Sequence, residues 1–171
     1  IDNSPIRIMM FDDEGQLILV NESMKEQLTK YNVSAQIGTK RDELRKGLLP
    51  NLDLKKQGET SVESLINSRR KELEESGFTV RLNYYKDGSI ALIQQKLLSD
   101  KTTVIYGVDV TDLIEKQTKV DLLTNAIELQ KNPVILFDQN KNVVFSNKAN
   151  RDRFHLLTGK TIKEGMQRDE L

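Results

Sequence analysis

The chain nearly repeats itself, and this limits what it can fold into. Phe11-Asp12 and Phe137-Asp138 each end an apolar run, and Asn21 and Asn147 each follow a second one. Both pairs lie 126 residues apart. Gly38-Thr39-Lys40-Arg41-Asp42-Glu43-Leu44 returns as Gly165-Met166-Gln167-Arg168-Asp169-Glu170-Leu171, now 127 apart, so one residue is inserted between Asn147 and Gly165. A unit of about 125 residues therefore occurs once in full and then begins again. Ile1 opens the chain and Leu171 falls inside the second copy, so both ends are expected to be cuts within a longer protein.

Composition removes several function classes. Lys+Arg and Asp+Glu both count 26, a formal net charge of zero. Nucleic-acid binding needs clustered, uncompensated positive charge, so it is not expected of this chain. No apolar run approaches the length of a membrane span, and no secretory signal is visible. The absence of Cys removes disulfides, thiolate chemistry and cysteine metal sites, and fits a cytoplasmic protein.

The order of elements follows from periodicity and punctuation. Pro5 to Asp12 and Gln16 to Val20 are apolar runs joined by Asp13-Glu14-Gly15, which predicts a β-hairpin. Asn21 is placed to cap a helix over Glu22 to Leu28, and a second helix is expected over Arg41 to Leu48. Thr60 and Glu63 have the spacing of a capping box for a helix over about Ser61 to Ser76. Leu65, Ile66, Arg69 and Leu73 share a stripe on it, and Gly77 stops it. Phe78, Val80, Leu82 and Tyr84 then alternate with Thr79, Arg81 and Asn83, the pattern of a half-buried strand. Asp87-Gly88 turns the chain into a return strand over Ile90 to Leu98, and Thr102 to Val110 forms the last strand. Residues 112–131 hold no Gly or Pro. Leu113, Val120, Leu123 and Ile127 form a seam that either pairs with a second copy or packs on its own domain. The result is an α+β fold, a five-stranded antiparallel sheet with helices on one face.

This order resembles the PAS domain of bacterial signalling proteins. The likeness is carried by Ser4-Pro5-Ile6 leading into Phe11-Asp12 and Gly15, by Asn21, by Asp87-Gly88, and by Gly107-Val108-Asp109-Val110-Thr111. The last run looks like the Asp-x-Thr junction that such domains place before an output helix. The resemblance implies strand order 2-1-5-4-3 and a small pocket between the sheet and the middle helices. It divides the chain into a PAS-like domain over 1–111, a signalling helix over 112–131, and the first half of a second PAS-like domain over 132–171. A piece like 132–171 lacks three strands and cannot bury a core unaided. It is expected to lean on the first domain, to exchange with another chain, or to adopt a different arrangement.

Few residues are candidates for chemistry. Asp109 and Thr111 can accept from free backbone N–H groups at a strand-to-helix junction and so set the angle at which the helix leaves; they relay a signal or simply cap. Gln94 and Gln95 are adjacent in an apolar strand, so one faces the helices, where it contacts a ligand or satisfies the backbone. Tyr84, Tyr85 and Tyr106 are further candidates for a pocket lining. His155 is the single histidine and lies outside the long middle helix on which haem-binding relatives carry their ligand, so haem is not expected. Flavin–cysteinyl chemistry is impossible without Cys, and with no Trp and few aromatic residues a flavin platform is not expected. Asp12-Asp13 and Glu74-Glu75 read as turn and solvated-face residues, and no catalytic or metal site is expected.

These readings imply a sensory and dimerising module that responds to a small molecule or a partner protein. Its signal would pass through Asp109, Thr111 and helix 112–131 to a sensor histidine kinase. The alternatives are a diguanylate cyclase or phosphodiesterase parent, and a protein-interaction module without ligand. A DNA-binding regulator is disfavoured by the charge balance.

Overall fold

A computed structural model describes residues 5–171, so Ser4 lies outside the described residues. The chain divides into two compact units, Ile1–Asp112 and Leu113–Leu171. The unit boundary falls at the start of the long helix.

The first unit runs β1 (Arg7–Phe11), β2 (Leu17–Val20), α1 (Glu22–Lys30), α2 (Arg41–Leu48), a single turn at Leu49–Asn51, α3 (Val62–Ser76), β3 (Phe78–Tyr84), β4 (Ile90–Leu97) and β5 (Thr103–Asp109). The five strands form one antiparallel sheet in the order β2-β1-β5-β4-β3. This is a PAS-like α+β fold.

Asn21 organises the entry to this unit. Its side chain is 2% exposed. Its Oδ1 accepts from Met24 N–H at 3.1 Å, which caps α1, and from Ile8 N–H at 2.9 Å, which ties the cap to β1. Its Nδ2 donates to the Ile6 carbonyl at 2.8 Å. One buried amide thus satisfies a helix start and a strand start together. At the far end of the middle region Gly77 takes φ +68° as the left-handed stop of α3. The cap of α3 is Ser61, whose hydroxyl accepts from Ser64 N–H at 3.1 Å, rather than the expected Thr60–Glu63 box.

Two apolar clusters fill the space between sheet and helices. Phe11, Leu17, Met24, Leu28 and Leu44 pack under β1, β2, α1 and α2. Leu49, Leu52, Leu65, Tyr85 and Ala91 pack under α3, β3 and β4. The rings of Tyr31 and Tyr85 stack at 5.1 Å between the two.

Strand β3 departs from the sequence expectation. The alternation is present, but the polar set is the one turned inward: Thr79 and Asn83 are buried while Phe78 and Val80 are exposed. Register explains the outcome, since Asn83 pairs Ala91 and Thr79 pairs Gln95, all on the helix side. Polar groups can occupy that face because hydrogen-bond partners meet them there.

The second unit continues α4 (Thr111–Glu128), then β6 (Ile135–Phe137), β7 (Val143–Ser146), α5 (Lys148–Thr158) and a single turn at Arg168–Glu170. Its sheet has two strands, so it is not a complete five-stranded domain. Its hydrogen bonds repeat those of the first unit. Asn147 is fully buried, caps α5 by accepting from Asn150 N–H at 3.0 Å, and accepts from Val134 N–H at 2.9 Å. Its Nδ2 donates to the Asn132 carbonyl at 2.9 Å. The bridge Gln16–Lys40 recurs as Asn142–Gln167. The Arg41 guanidinium over the Phe11 ring recurs as Arg168 over Phe137, at 6.0 and 5.9 Å. No side chain of α4 is buried: Leu113, Val120 and Leu123 are exposed and Ile127 is half-buried. Among the described residues no helix is long and apolar enough to cross a membrane.

Replacing Asn21 by Ala removes a cap and leaves strand groups unsatisfied, so N21A should destabilise the first unit by about 2–4 kcal/mol. Urea unfolding followed by circular dichroism should show a lower midpoint with an unchanged slope.

Candidate functional site: an arginine-walled cavity and a helix junction

Between the inner face of the sheet and helices α1, α2 and α3 the first unit holds a cavity of about 70 Å³. Its apolar wall includes Phe11, Met24, Leu44, Ile66, Ile93 and Ile105. Its polar wall comes from opposite sides: Arg41 and Arg45 on α2, Arg69 on α3, Arg7 on β1, Asn83 on β3 and Gln95 on β4. Among the described residues no Asp or Glu belongs to the wall.

Arg69 lies in the stripe of Leu65, Ile66 and Leu73 and is 9% exposed. Its Nη2 donates to Asn83 Oδ1 at 2.8 Å and to Gln57 Oε1 at 2.9 Å, two neutral amides. Burial, aided by the charge of neighbouring Arg81, pushes its pKa down to about 10, so it remains cationic at neutral pH. Burial likewise pushes Arg45 down to about 10, with Arg41 repelling it; its Nη1 donates to Asp42 Oδ1 at 3.3 Å. Arg41 is also lowered by burial and donates to Thr103 Oγ1 at 3.1 Å. Gln95 Oε1 accepts from Arg81 Nη2 at 2.7 Å, and Arg81 Nε is buried without a partner.

The strand pleat sorts the residues singled out from sequence. Gln95 and Tyr85 line the cavity. Gln94 and Tyr106 do not: they pair with each other on the opposite face, beside Ile6, Leu92 and Val108. Tyr84 is also not a wall residue, since it has the parity of exposed Val80, and the Lys56 ammonium lies 6.0 Å from its ring centre. His155 is exposed on α5, with Nδ1 3.3 Å from the Lys160 carbonyl. The arginines of the wall were missed. Only Arg69 left a trace in the sequence, as a cation inside an apolar helical stripe.

Asp109 and Thr111 do meet, at the junction of β5 and α4. Thr111 Oγ1 donates to Asp109 Oδ1 at 2.6 Å, and the same oxygen of Asp109 accepts from Thr111 N–H at 3.0 Å. Thr111 Oγ1 also accepts from Ile90 N–H at 2.8 Å. Thr111 is therefore fastened to β4 rather than capping its own helix. On its other side Asp109 accepts from Arg7 Nη2 at 3.3 Å. Burial alone would raise the Asp109 pKa, but the bonds from Thr111 and Arg7 outweigh it and hold the carboxyl below its ordinary range.

No family model matches the chain, and no curated protein matches it. Similar solved structures include a domain of an HTR-like protein from Haloarcula marismortui, 15% identical over 63% of this chain and 99% of that one, with a TM-score of 0.40. A domain of a sensory box sensor histidine kinase/response regulator from Geobacter sulfurreducens is 18% identical over 63% and 86%, with a TM-score of 0.37. The PAS domain of BvgS from Bordetella pertussis is 19% identical over 74% and 89%, with a TM-score of 0.38. The PAS-like assignment of the first unit rests on its own strand order and helix placement.

A carboxyl held below its ordinary pKa stabilises the fold above its unfolded pKa, and that stability is lost as pH falls through the folded value. The stability difference between wild type and D109N should be constant above about pH 5 and shrink as pH falls below about 4. Paired urea melts from pH 7 to pH 2 measure it, and a constant difference throughout would contradict the assigned role of the ionised carboxylate.

Proposed function

We propose that this chain is the sensory part of a multidomain bacterial signalling protein. The observation that carries the reading is a continuous path of bonds from the cavity wall to the start of α4. Arg7 lines the cavity and holds Asp109; Asp109 holds Thr111; Thr111 holds the first residue of β4, a strand that also supplies Gln95 and Ile93 to the wall. A change in cavity occupancy that shifts β4 or Arg7 by a fraction of an ångström alters the bonds that seat the helix. Coupling of about 1–3 kcal/mol suffices for a switch, the scale of one or two such bonds.

In this reading α4 conveys the change to a histidine kinase in the cytoplasm. A diguanylate cyclase or phosphodiesterase output would use the same mechanics. The second unit opens a further copy of the same fold, as its repeated Asn147 clamp suggests. The exposed seam of Leu113, Val120 and Leu123 pairs with a second copy of the chain. The chain supplies no catalysis itself, and no haem, flavin or metal is proposed.

A second reading has its own observation. The outer sheet face exposes Ile6, Phe78, Val80, Tyr106 and Val108 together, which favours a role as a protein-docking module.

Replacing Thr111 by Val keeps the shape and removes the hydroxyl's bonds to Ile90 and Asp109, leaving the backbone N–H bond to Asp109. T111V should speed hydrogen exchange at Ile90 N–H and at the first turn of α4. In the protein that carries the output domain it should abolish the change in autophosphorylation on stimulation. Retained signal response with the bond lost would refute the relay. Sedimentation should give a dimer for the wild type and a monomer for L123E; a wild-type monomer at high concentration would refute the seam.

A further inference from the structure

We infer that the cavity of the first unit binds a small organic carboxylate, whose anionic end pairs with Arg69 and whose apolar body rests against Ile66 and Ile93. The inference deepens the sensory reading above and rests on it.

Arg69 is a buried cation with no ion pair among the described residues; the Glu59 carboxylate, held by Ser64 and Ser68, acts on it only from beyond pairing distance. Both of its hydrogen bonds leave from Nη2 and end on neutral amide oxygens. No bond joins its Nε or Nη1 to a described residue. Arg41, less buried, likewise has only the neutral Thr103 hydroxyl, whereas three other inward guanidiniums are paired. Arg45 has Asp42, Arg81 has Glu72, and Arg7 has Asp109. Removing a lone cation from water costs several kcal/mol unless opposite charge or a full set of acceptors meets it. Two neutral acceptors meet part of that cost, and a carboxylate on the free edge of the guanidinium would meet the rest with paired N–H···O bonds.

The surroundings favour an anion further. Arg7, Arg41 and Arg45 share the wall, and among the described residues no acidic side chain does. Burial lowers Arg45 and Arg69 first; repulsion from Arg41 follows at Arg45, and repulsion from Arg81, outside the wall, follows at Arg69. An anion inside the cavity relieves that repulsion for several charges at once. Arg7 shares the wall and pairs with Asp109, so an anion bound there would compete for its charge with the junction.

The shape of the wall selects among anions. Most of it is apolar, and the space is about 70 Å³. Inorganic phosphate is polar on every side and would leave oxygens against Ile66, Ile93 and Met24 without donors. A carboxylate concentrates its charge at one planar end and leaves an apolar end for these side chains.

The test compares acetate, propionate and 2-oxobutyrate with acetamide, propionamide and inorganic phosphate at constant ionic strength. Thermal unfolding of the 171-residue chain is the readout, with native mass spectrometry of the protein as purified alongside. At a hundredfold excess over Kd a true ligand should raise the midpoint by about 5–10 °C. The expected result is a saturable rise with at least one carboxylate, or a co-purified acid lost on denaturation, and no rise with the matching amide. R69M should abolish the rise while retaining a cooperative transition; R45M tests the same field should R69M fail to fold, and the carboxylate–amide comparison needs no variant. Equal rises with acid and amide, or a neutral co-purified molecule, would overturn the carboxylate and leave the sensory reading standing. A rise with phosphate alone would do the same. Neither a rise nor any bound mass would overturn both the carboxylate and ligand sensing, and leave the docking module.

Discussion

A guanidinium held between a helix and the sheet sets much of the architecture of the first unit. Arg69 enters the interior on an apolar stripe of α3, and a buried cation requires acceptors. Asn83 meets it from β3, and Gln57 from the loop before α3. Once Asn83 faces inward, the two-residue period of a strand turns Thr79 and Arg81 inward as well. Phe78 and Val80 are then left on the outer face, beside Tyr106 and Val108. The polar cavity and the apolar outer surface are therefore two results of one placement.

A second buried group recurs. Asn21 and Asn147 each join a helix cap to the residues that lead into a strand, with bonds whose partners differ by the same offset in sequence. An Asn does this well because one oxygen accepts twice while the nitrogen donates to a carbonyl. The repeated arginine over the repeated phenylalanine extends the correspondence into the segment that follows. What differs is completeness. The first unit has three further strands to cover its helices, whereas α5 leaves Leu156 and Leu157 exposed.

The junction of β5 and α4 joins the two scales of the molecule. Its bonds are individually small, about 1 kcal/mol net for a neutral pair and more where a charge takes part. Thr111 Oγ1 serves both Ile90 and Asp109, while Arg7 takes the other carboxylate oxygen of Asp109. No side chain of α4 is buried.

Much of this was legible in the sequence, and the reasons are local. Hairpin turns, the caps at Asn21 and Asn147, the stop at Gly77 and the Asp109–Thr111 pair all act within a few residues, so composition and spacing determine them. The repeat was legible for the same reason, because the clamp needs the same residues at the same separations. The cavity was not. Gln95 and Gln94 are neighbours in sequence and lie on opposite faces, and only the register against β5 decides which face is covered. Arg7, Arg41, Arg45 and Arg69 come from three separate segments and share one wall only once α2 and α3 have packed on the sheet. Backbone turns and caps were determined by the sequence alone; the clustering of distant charges, and with it the proposed chemistry of the site, was decided by tertiary structure, because long-range packing sets which side chains share a space from which water is largely removed.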